Sequence, residues 1–195
     1  MDQYIDEGLI ALLPIYTATD RAIVVTQKSE YLEGRTVPWL IEKLATHYSM
    51  SINELRRLYG NILNVKKHVI VPINNDLVFL PVKTRAAAAH GETTIGYCSL
   101  LQVDNVSDYT GSPGPWLSSI QFKTGYELFT LNTAETLRDK IRQGEQVRNH
   151  YIRRRGRGPG FAGLSRADLV DCMPNCDCLL LDVFRFMLHL KGEDD

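Results

Sequence analysis

The chain is 195 residues long, with 44% hydrophobic and 23% charged side chains and a net charge of −1. A chain of this length forms one compact domain, or one domain with an appendage, and buries a core without disulfides. No apolar run is long enough to cross a membrane, and the acidic N-terminus lacks the positive charges of a signal peptide. We therefore expect a cytoplasmic protein with no membrane partner.

The first elements are predicted to form a β-hairpin. An apolar run at residues 8–16 contains Pro14, which favours an edge strand because proline lacks a backbone donor. A polar turn separates it from a second short apolar run, Ala22–Thr26.

A helical region is predicted over residues 38–60. Ser51 and Glu54 form a capping box at the start of its second helix, and Gly60 is suited to end that helix. Two helices with a tight join are typical either of a helix-turn-helix or of a helical hairpin that covers a sheet. We favour the helical hairpin, because the helix-turn-helix pattern often arises by chance.

A central hairpin is predicted over residues 69–82, and we expect the other elements to pack around it. Two β-branched apolar runs flank the turn residues Asn74–Asp76. Their near-continuous hydrophobicity indicates strands that are covered on both faces. Pro72 and Pro81 are expected at a strand end, a bulge or an edge.

The next elements are a strand at residues 93–103, a loop at residues 104–115 and a hairpin at residues 119–131. Gly125 supplies the positive φ of the hairpin turn. A long helix then starts at Asn132, which forms a capping box with Glu135. Together these elements predict an α+β, sheet-rich single domain that is built from β-hairpins with flanking helices.

The end of this helix is strongly basic. Residues 134–166 hold nine positive and three negative side chains, a charge of +6 in a chain of −1. Arginine at this density can neutralise several phosphates and release their counterions. A solvated helix end followed by a linker is the alternative interpretation.

The C-terminal segment differs in composition. We divide the chain into a domain at residues 1–155, an Arg/Gly-rich linker at residues 156–164 and an acidic, apolar helical appendage at residues 165–195. The segment after Arg166 has a net charge of −5, and its apolar run needs a partner surface in this chain or in another. We hypothesise that the appendage masks the basic segment.

The cysteines bear on cofactors. In the cytoplasm Cys98, Cys172, Cys176 and Cys178 are expected to be reduced thiols or metal ligands. The last three lie close together, with His189 beyond them, but the distant second cysteine pair that is typical of zinc sites is missing. We expect thiols rather than zinc, and therefore no metal and no cofactor. No catalytic motif is present, so we do not expect an enzyme.

The order of elements resembles the ComK family, the competence transcription factors of Gram-positive bacteria, over about residues 8–153. The resemblance rests on the opening hairpin and on the following segments: residues 47–51, Arg56-Arg57, Val71-Pro72-Ile73, residues 77–81, the strand with Cys98, and the late hairpin with Ile120, Phe122, Gly125 and Leu128. Leu80 separates Phe79 from Pro81, whereas the family commonly has an adjacent Phe-Pro. Residues from Gly156 onward match nothing in the family.

The resemblance implies a transcription activator that binds A·T-rich double-stranded DNA, largely through the minor groove, as a homo-oligomer. It also implies an adaptor that delivers the protein to a Clp protease. From charge alone we assign DNA binding to nine residues: Arg56, Arg57, Lys66, Lys67, Arg148, Arg153, Arg154, Arg155 and Arg157. The alternatives are an RNA-binding or ribosome-associated protein that uses the arginine segment, and a protein-interaction or dimerisation module that uses the apolar appendage.

Overall fold

Two antiparallel sheets and four α-helices make up the part of the chain that the structure describes, namely residues 1–15, 17, 21–87, 92–111 and 114–156 of a computed structural model. The elements are α1 (Asp2–Asp6), β1 (Leu9–Pro14), β2 (Ala22–Thr26), β3 (Glu30–Glu33), α2 (Val37–His47), α3 (Ile52–Leu63), β4 (Val71–Pro72), β5 (Val78–Lys83), β6 (Ile95–Ser99), a 3₁₀ turn (Leu100–Gln102), β7 (Val103–Asp108), β8 (Ser118–Phe122), β9 (Glu127–Thr130) and α4 (Ala134–Gly156).

The larger sheet has six strands in the order β3-β2-β1-β6-β5-β4, and the smaller sheet has the order β7-β8-β9. This architecture confirms the predicted α+β class. The predicted opening hairpin is confirmed, but its edge position is wrong. β1 lies inside the sheet, where Leu12 pairs with Val24 of β2 on one side and with Tyr97 of β6 on the other.

The central hairpin is confirmed as β4 and β5, and its strands are covered on both faces. Phe79 packs with α2 on one face, where Leu40 and Leu44 are fully buried. Its neighbour Leu80 packs on the other face with the smaller sheet and with α4, including Val147. Because successive strand side chains point to opposite faces, this double cover explains the near-continuous apolar run.

The two prolines of this hairpin occupy different positions. Pro72 ends β4, the edge strand. Pro81 lies inside β5 and pairs with Tyr97, but it lies beyond the end of β4, where no strand needs its missing N–H. Its carbonyl oxygen accepts a hydrogen bond from Lys140 Nζ of α4 at 2.6 Å.

The helix pair α2–α3 fits the favoured interpretation of a hairpin that covers a sheet. α2 buries one face against the six-stranded sheet. Ser51 caps α3, and its Oγ accepts a hydrogen bond from the Glu54 amide at 3.4 Å.

The predicted end of α3 at Gly60 is wrong, because the helix continues to Leu63 and Asn64 adopts the left-handed conformation that ends it. Gly60 is buried inside the helix, and a Cβ at this position would lie 2.8 Å from the carbonyl oxygen of Val65. The glycine thus permits close approach of the following loop rather than helix termination.

The later hairpin is confirmed, and Gly125 has a φ of +85° in its turn. Two other predictions need correction. The predicted strand at residues 93–103 breaks at the 3₁₀ turn, and the predicted loop at residues 104–115 begins as β7, which pairs with β8. The short elements α1 and β3 were not predicted.

The start of α4 also differs from its prediction. Thr133 caps the helix, since its Oγ1 accepts a hydrogen bond from the Thr136 amide at 3.2 Å. Asn132 instead accepts a hydrogen bond from the Lys83 amide at 2.7 Å, which ties the start of α4 to β5.

Residues 1–155 form one compact unit. The predicted linker from Arg157 onward and the predicted appendage at residues 165–195 lie outside the described residues, as does the cysteine cluster. In the part of the chain that the structure describes, no helix is long and apolar enough to cross a membrane.

Candidate nucleic-acid interface

α3 presents a basic outer face because its apolar side chains are drawn inward. Ile52 and Tyr59 are buried, whereas Arg57 and Asn61 are exposed and Arg56 is half-buried. This amphipathic pattern is that of a helix with one side in the core. The two adjacent arginines therefore project from the same part of the surface.

A groove, the loop groove, lies between α3 and the loop that leads to β4. It has a volume of about 520 Å³. Val65 donates a backbone hydrogen bond to the Gly60 carbonyl at 2.9 Å, which folds the loop back against α3. The lining side chains are Arg56, Arg57, Asn61, Val65, Lys66, Lys67, His68, Val69 and Tyr97. Four of them are cationic and none is a carboxylate.

A second groove, the helix groove, lies between α3 and the C-terminal part of α4. Its volume is about 670 Å³. Arg57 and Asn61 line it as well as the loop groove, so the two grooves are neighbours on α3. Arg154 and Arg155 reach it from α4, and Glu54 is the one carboxylate in its lining.

We call the cationic lining of both grooves the basic surface, which comprises Arg56, Arg57, Lys66, Lys67, Arg154 and Arg155. None of these six side chains takes part in an ion pair with another described residue. Six positive charges thus face solvent beside a single carboxylate. Such a surface is suited to bind anions, above all the closely spaced phosphates of a nucleic acid.

Of the two arginines that α4 contributes, Arg155 packs against an aromatic side chain. The Arg155 guanidinium lies 5.1 Å from the centre of the Tyr151 ring, a cation–π contact. Tyr151 is buried, and its hydroxyl donates a hydrogen bond to the Ile73 carbonyl at 3.0 Å. The rigid tyrosine therefore limits where Arg155 can point.

Tyr59 lies beneath the helix groove. Burial raises its pKa to about 12, and the nearby Arg154 opposes this rise. The hydroxyl is therefore neutral at physiological pH, and it does not cancel the charge of Arg154. The Tyr59 ring also packs edge-on against His150 at 5.7 Å between ring centres, which joins α3 to α4 at the floor of the groove.

Arg148 lies apart from the basic surface. Its Nε donates a hydrogen bond to the Asn75 carbonyl at 2.7 Å. It lines a third recess of about 590 Å³, which we call the mixed-charge cleft; the charged side chains of this cleft are Asp104, Lys123, Arg138, Glu145 and Arg148. The other candidates divide as follows: Arg153 is exposed but lines neither groove, and Arg157 lies outside the described residues.

His68 was not among the nine predicted residues, although it lines the loop groove. Burial lowers the pKa of its imidazole, and the positive charges of Lys140 and Lys67 lower it further. Its place directly after Lys66-Lys67 is the one sequence signal that points to it.

An apolar feature lies on the smaller sheet. We call Tyr109, Trp116, Leu117 and Phe129 the aromatic patch. The Phe129 ring centre is 5.2 Å from that of Tyr109 and 6.4 Å from that of Trp116. Leu117 is 50% exposed and Phe129 is 37% exposed.

Within the described residues, no group of three or more histidine, cysteine or acidic side chains is placed to hold a metal ion. Comparison of the chain with protein-family models, with curated proteins and with solved structures finds no match.

Proposed function

We propose that the protein binds A·T-rich double-stranded DNA through the basic surface and acts as a transcription activator of the competence type. The observation that carries the proposal is the set of six cations that line two neighbouring grooves without an ion-pair partner among the described residues. Binding of phosphate to such cations breaks no internal ion pair, so the gain from counterion release is retained.

The preference for A·T-rich sequence and the role in activation come from the resemblance to the ComK family. Narrow A·T minor grooves have an enhanced negative potential, which attracts inserted arginine. Arg154 and Arg155 are the best candidates for this insertion, because their side chains are exposed at the C-terminal end of α4. Lys66 and Lys67 are then placed for phosphate contacts, which position the protein without reading sequence. Assembly as a homo-oligomer and delivery to a Clp protease by an adaptor belong to the same proposal.

Two other functions draw on particular features. The arginine segment is also compatible with RNA binding, since phosphate neutralisation does not distinguish the two nucleic acids. The aromatic patch favours a protein-interaction module, because exposed aromatic side chains are enriched at interfaces. The six cations of the basic surface suit either nucleic acid, and the resemblance to the ComK family is the reason that we place double-stranded DNA first.

Fluorescence anisotropy with three ligands separates these functions. The full chain is titrated into an A·T-tract duplex, a G·C-rich duplex and a single-stranded RNA at several salt concentrations. We expect the tightest binding to the A·T duplex, with a steep loss of affinity as salt rises. Equal affinity for both duplexes would reduce the proposal to nonspecific electrostatics. Tighter binding to RNA would support the second function, and concentration-dependent mass without any nucleic-acid binding would support the third.

A further inference from the structure

His68 occupies an unusual place in the loop groove. Its backbone has a φ of +54°, a left-handed conformation that non-glycine residues rarely adopt. The residue is exposed, and it lines the groove together with the four cations of α3 and the loop. The loop thus places an imidazole, which can both donate and accept hydrogen bonds, in a recess that four cations and no carboxylate line.

Among the described residues, every charged side chain that lines the loop groove around this imidazole is positive. α3 contributes Arg56 and Arg57, and the loop itself contributes Lys66 and Lys67. Lys140 of α4 does not line the groove, but its positive charge also lowers the pKa of the imidazole. β6 contributes only the uncharged side chain of Tyr97. A positive charge on the imidazole is therefore disfavoured while the groove holds no anion.

A bound phosphate reverses this balance. An anion within hydrogen-bond distance favours the charged imidazole, and it also neutralises the field of the surrounding cations. The imidazolium has two N–H donors, whereas the neutral ring has one. Phosphate and proton therefore favour each other's binding at this position.

We propose that His68 is a further phosphate-contacting residue of the basic surface and that nucleic acid binds there together with one proton. This inference rests on the proposed function, because it names a residue and a regulation of the same surface.

The sign of the pH dependence follows from linkage. Burial, Lys140 and Lys67 hold the pKa of His68 in the free protein below its usual value, and the phosphate raises it in the complex. Affinity is highest below the free-protein pKa, and it falls as the pH rises through the pKa of the complex. A difference of about one pKa unit between the free protein and the complex corresponds to about a tenfold change in affinity. We therefore expect affinity to fall about threefold to tenfold between about pH 6 and pH 8.

The test measures anisotropy with the A·T-tract duplex across this pH range at constant ionic strength, using the full chain. We compare the unmodified protein with His68→Gln and with His47→Gln. His47 is the matched control, because it lies 3.3 Å from Asp2 and lines neither groove. The inference requires that His68→Gln flatten the pH dependence, so that its affinity falls furthest below that of the unmodified protein at the acidic end of the range. His47→Gln should keep the full pH dependence.

A second readout follows the imidazole directly. The chemical shift of the His68 Cε1 proton is titrated against pH with and without the duplex, and it is assigned by its absence in His68→Gln. The duplex should move the titration midpoint to higher pH. An unmoved midpoint, or an unchanged pH dependence in His68→Gln, would overturn the inference and leave DNA binding in place. Absence of binding at every pH would overturn both.

Discussion

The basic surface and the mixed-charge cleft both contain arginine and lysine, but the hydrogen-bond acceptors and carboxylates around these cations differ. In the cleft, Arg138 donates a hydrogen bond to the Val106 carbonyl at 3.1 Å, and Arg148 donates one to the Asn75 carbonyl at 2.7 Å. Asp104 and Glu145 line the same recess. On the basic surface the cations have no ion-pair partner among the described residues, and a single carboxylate accompanies them.

This difference shows that arginine density along the chain does not define a binding site. Arg148 and Arg155 belong to the same basic helix, yet Arg148 donates to the Asn75 carbonyl on a turn of the larger sheet, whereas Arg155 lines the helix groove and donates to the Met50 Sδ at 3.9 Å. A thioether is a weak acceptor, so Arg155 keeps more of its capacity to bind an anion than Arg148 does.

The largest effect should come from reversing two charges of the helix groove. Arg57→Glu with Arg154→Glu removes two phosphate contacts and adds two repulsive charges. We expect an affinity for the A·T duplex that is about 100-fold lower or weaker still, because each neutralised phosphate contributes strongly at moderate salt. Anisotropy at fixed ionic strength measures the loss.

The matched control reverses Arg35 and Arg142, which are outside both grooves. Arg142 is paired with Asp139, and Arg35 lies over the Trp39 ring. The control changes the net charge equally and should lower affinity only slightly. An equal loss in both variants would mean that total charge, and not the basic surface, governs binding.

The next effect concerns the backbone beneath the loop groove. Gly60→Ala places a Cβ against the Val65 carbonyl and should push away the loop that carries Lys66, Lys67 and His68. We expect the free energy of unfolding to fall by about 1–2 kcal/mol, since overpacking outweighs the gain in helix propensity. Urea unfolding measures this loss, and DNA affinity should fall with it. Asn53→Ala, at an exposed position of the same helix, should change neither quantity.

Removal of an arginine from the mixed-charge cleft should lower stability and leave DNA affinity nearly unchanged. Arg148→Gln leaves the Asn75 carbonyl without its charged donor, so we expect a loss of about 1 kcal/mol in the free energy of unfolding. DNA affinity should stay within about twofold, because this arginine contributes to neither groove. A large drop in affinity with unchanged stability would place Arg148 on the DNA surface after all.

The smallest effect is expected at the start of α3. Ser51→Ala removes the hydroxyl that accepts the Glu54 amide, and loss of such a cap costs about 0.5–1 kcal/mol. Ser51 also lines the helix groove. Thermal unfolding should show a small decrease in midpoint, and the salt dependence of DNA binding should be unchanged. A flatter salt dependence would show that this rim contacts phosphate.

Local chemistry explains which elements could be predicted. Two turns each depend on a single residue that the sequence reveals. Gly125 supplies the positive φ of one turn. Asn74 stabilises the other, because its Oδ1 accepts hydrogen bonds from the Asp76 and Leu77 amides. β3 was missed because Glu-Tyr-Leu-Glu lacks the β-branched residues of a strand, and it forms only by pairing with β2. The role of Gly60 depends on the later carbonyl of Val65, which no local pattern reveals.

The site was predictable in part for the same reason. Charge pointed to all six residues of the basic surface, but it could not show that Arg148 donates a hydrogen bond to a carbonyl on a distant turn. The convergence of Arg57 with Arg154 depends on how α3 and α4 meet, which is a property of packing. His68 was not predicted, because a single histidine in a sequence does not indicate a binding role until the groove around it is known.

The most direct test of the account is the salt dependence of DNA affinity in two double variants. Arg57→Gln with Arg154→Gln removes two positive charges from the basic surface, and Arg138→Gln with Arg148→Gln removes two from the mixed-charge cleft. Each lost phosphate contact lowers the slope of log affinity against log salt by about one. The account predicts that the first variant loses about two units of slope and that the second, checked for folding by circular dichroism, loses none. Equal slopes in both variants, or a loss confined to the second, would contradict it.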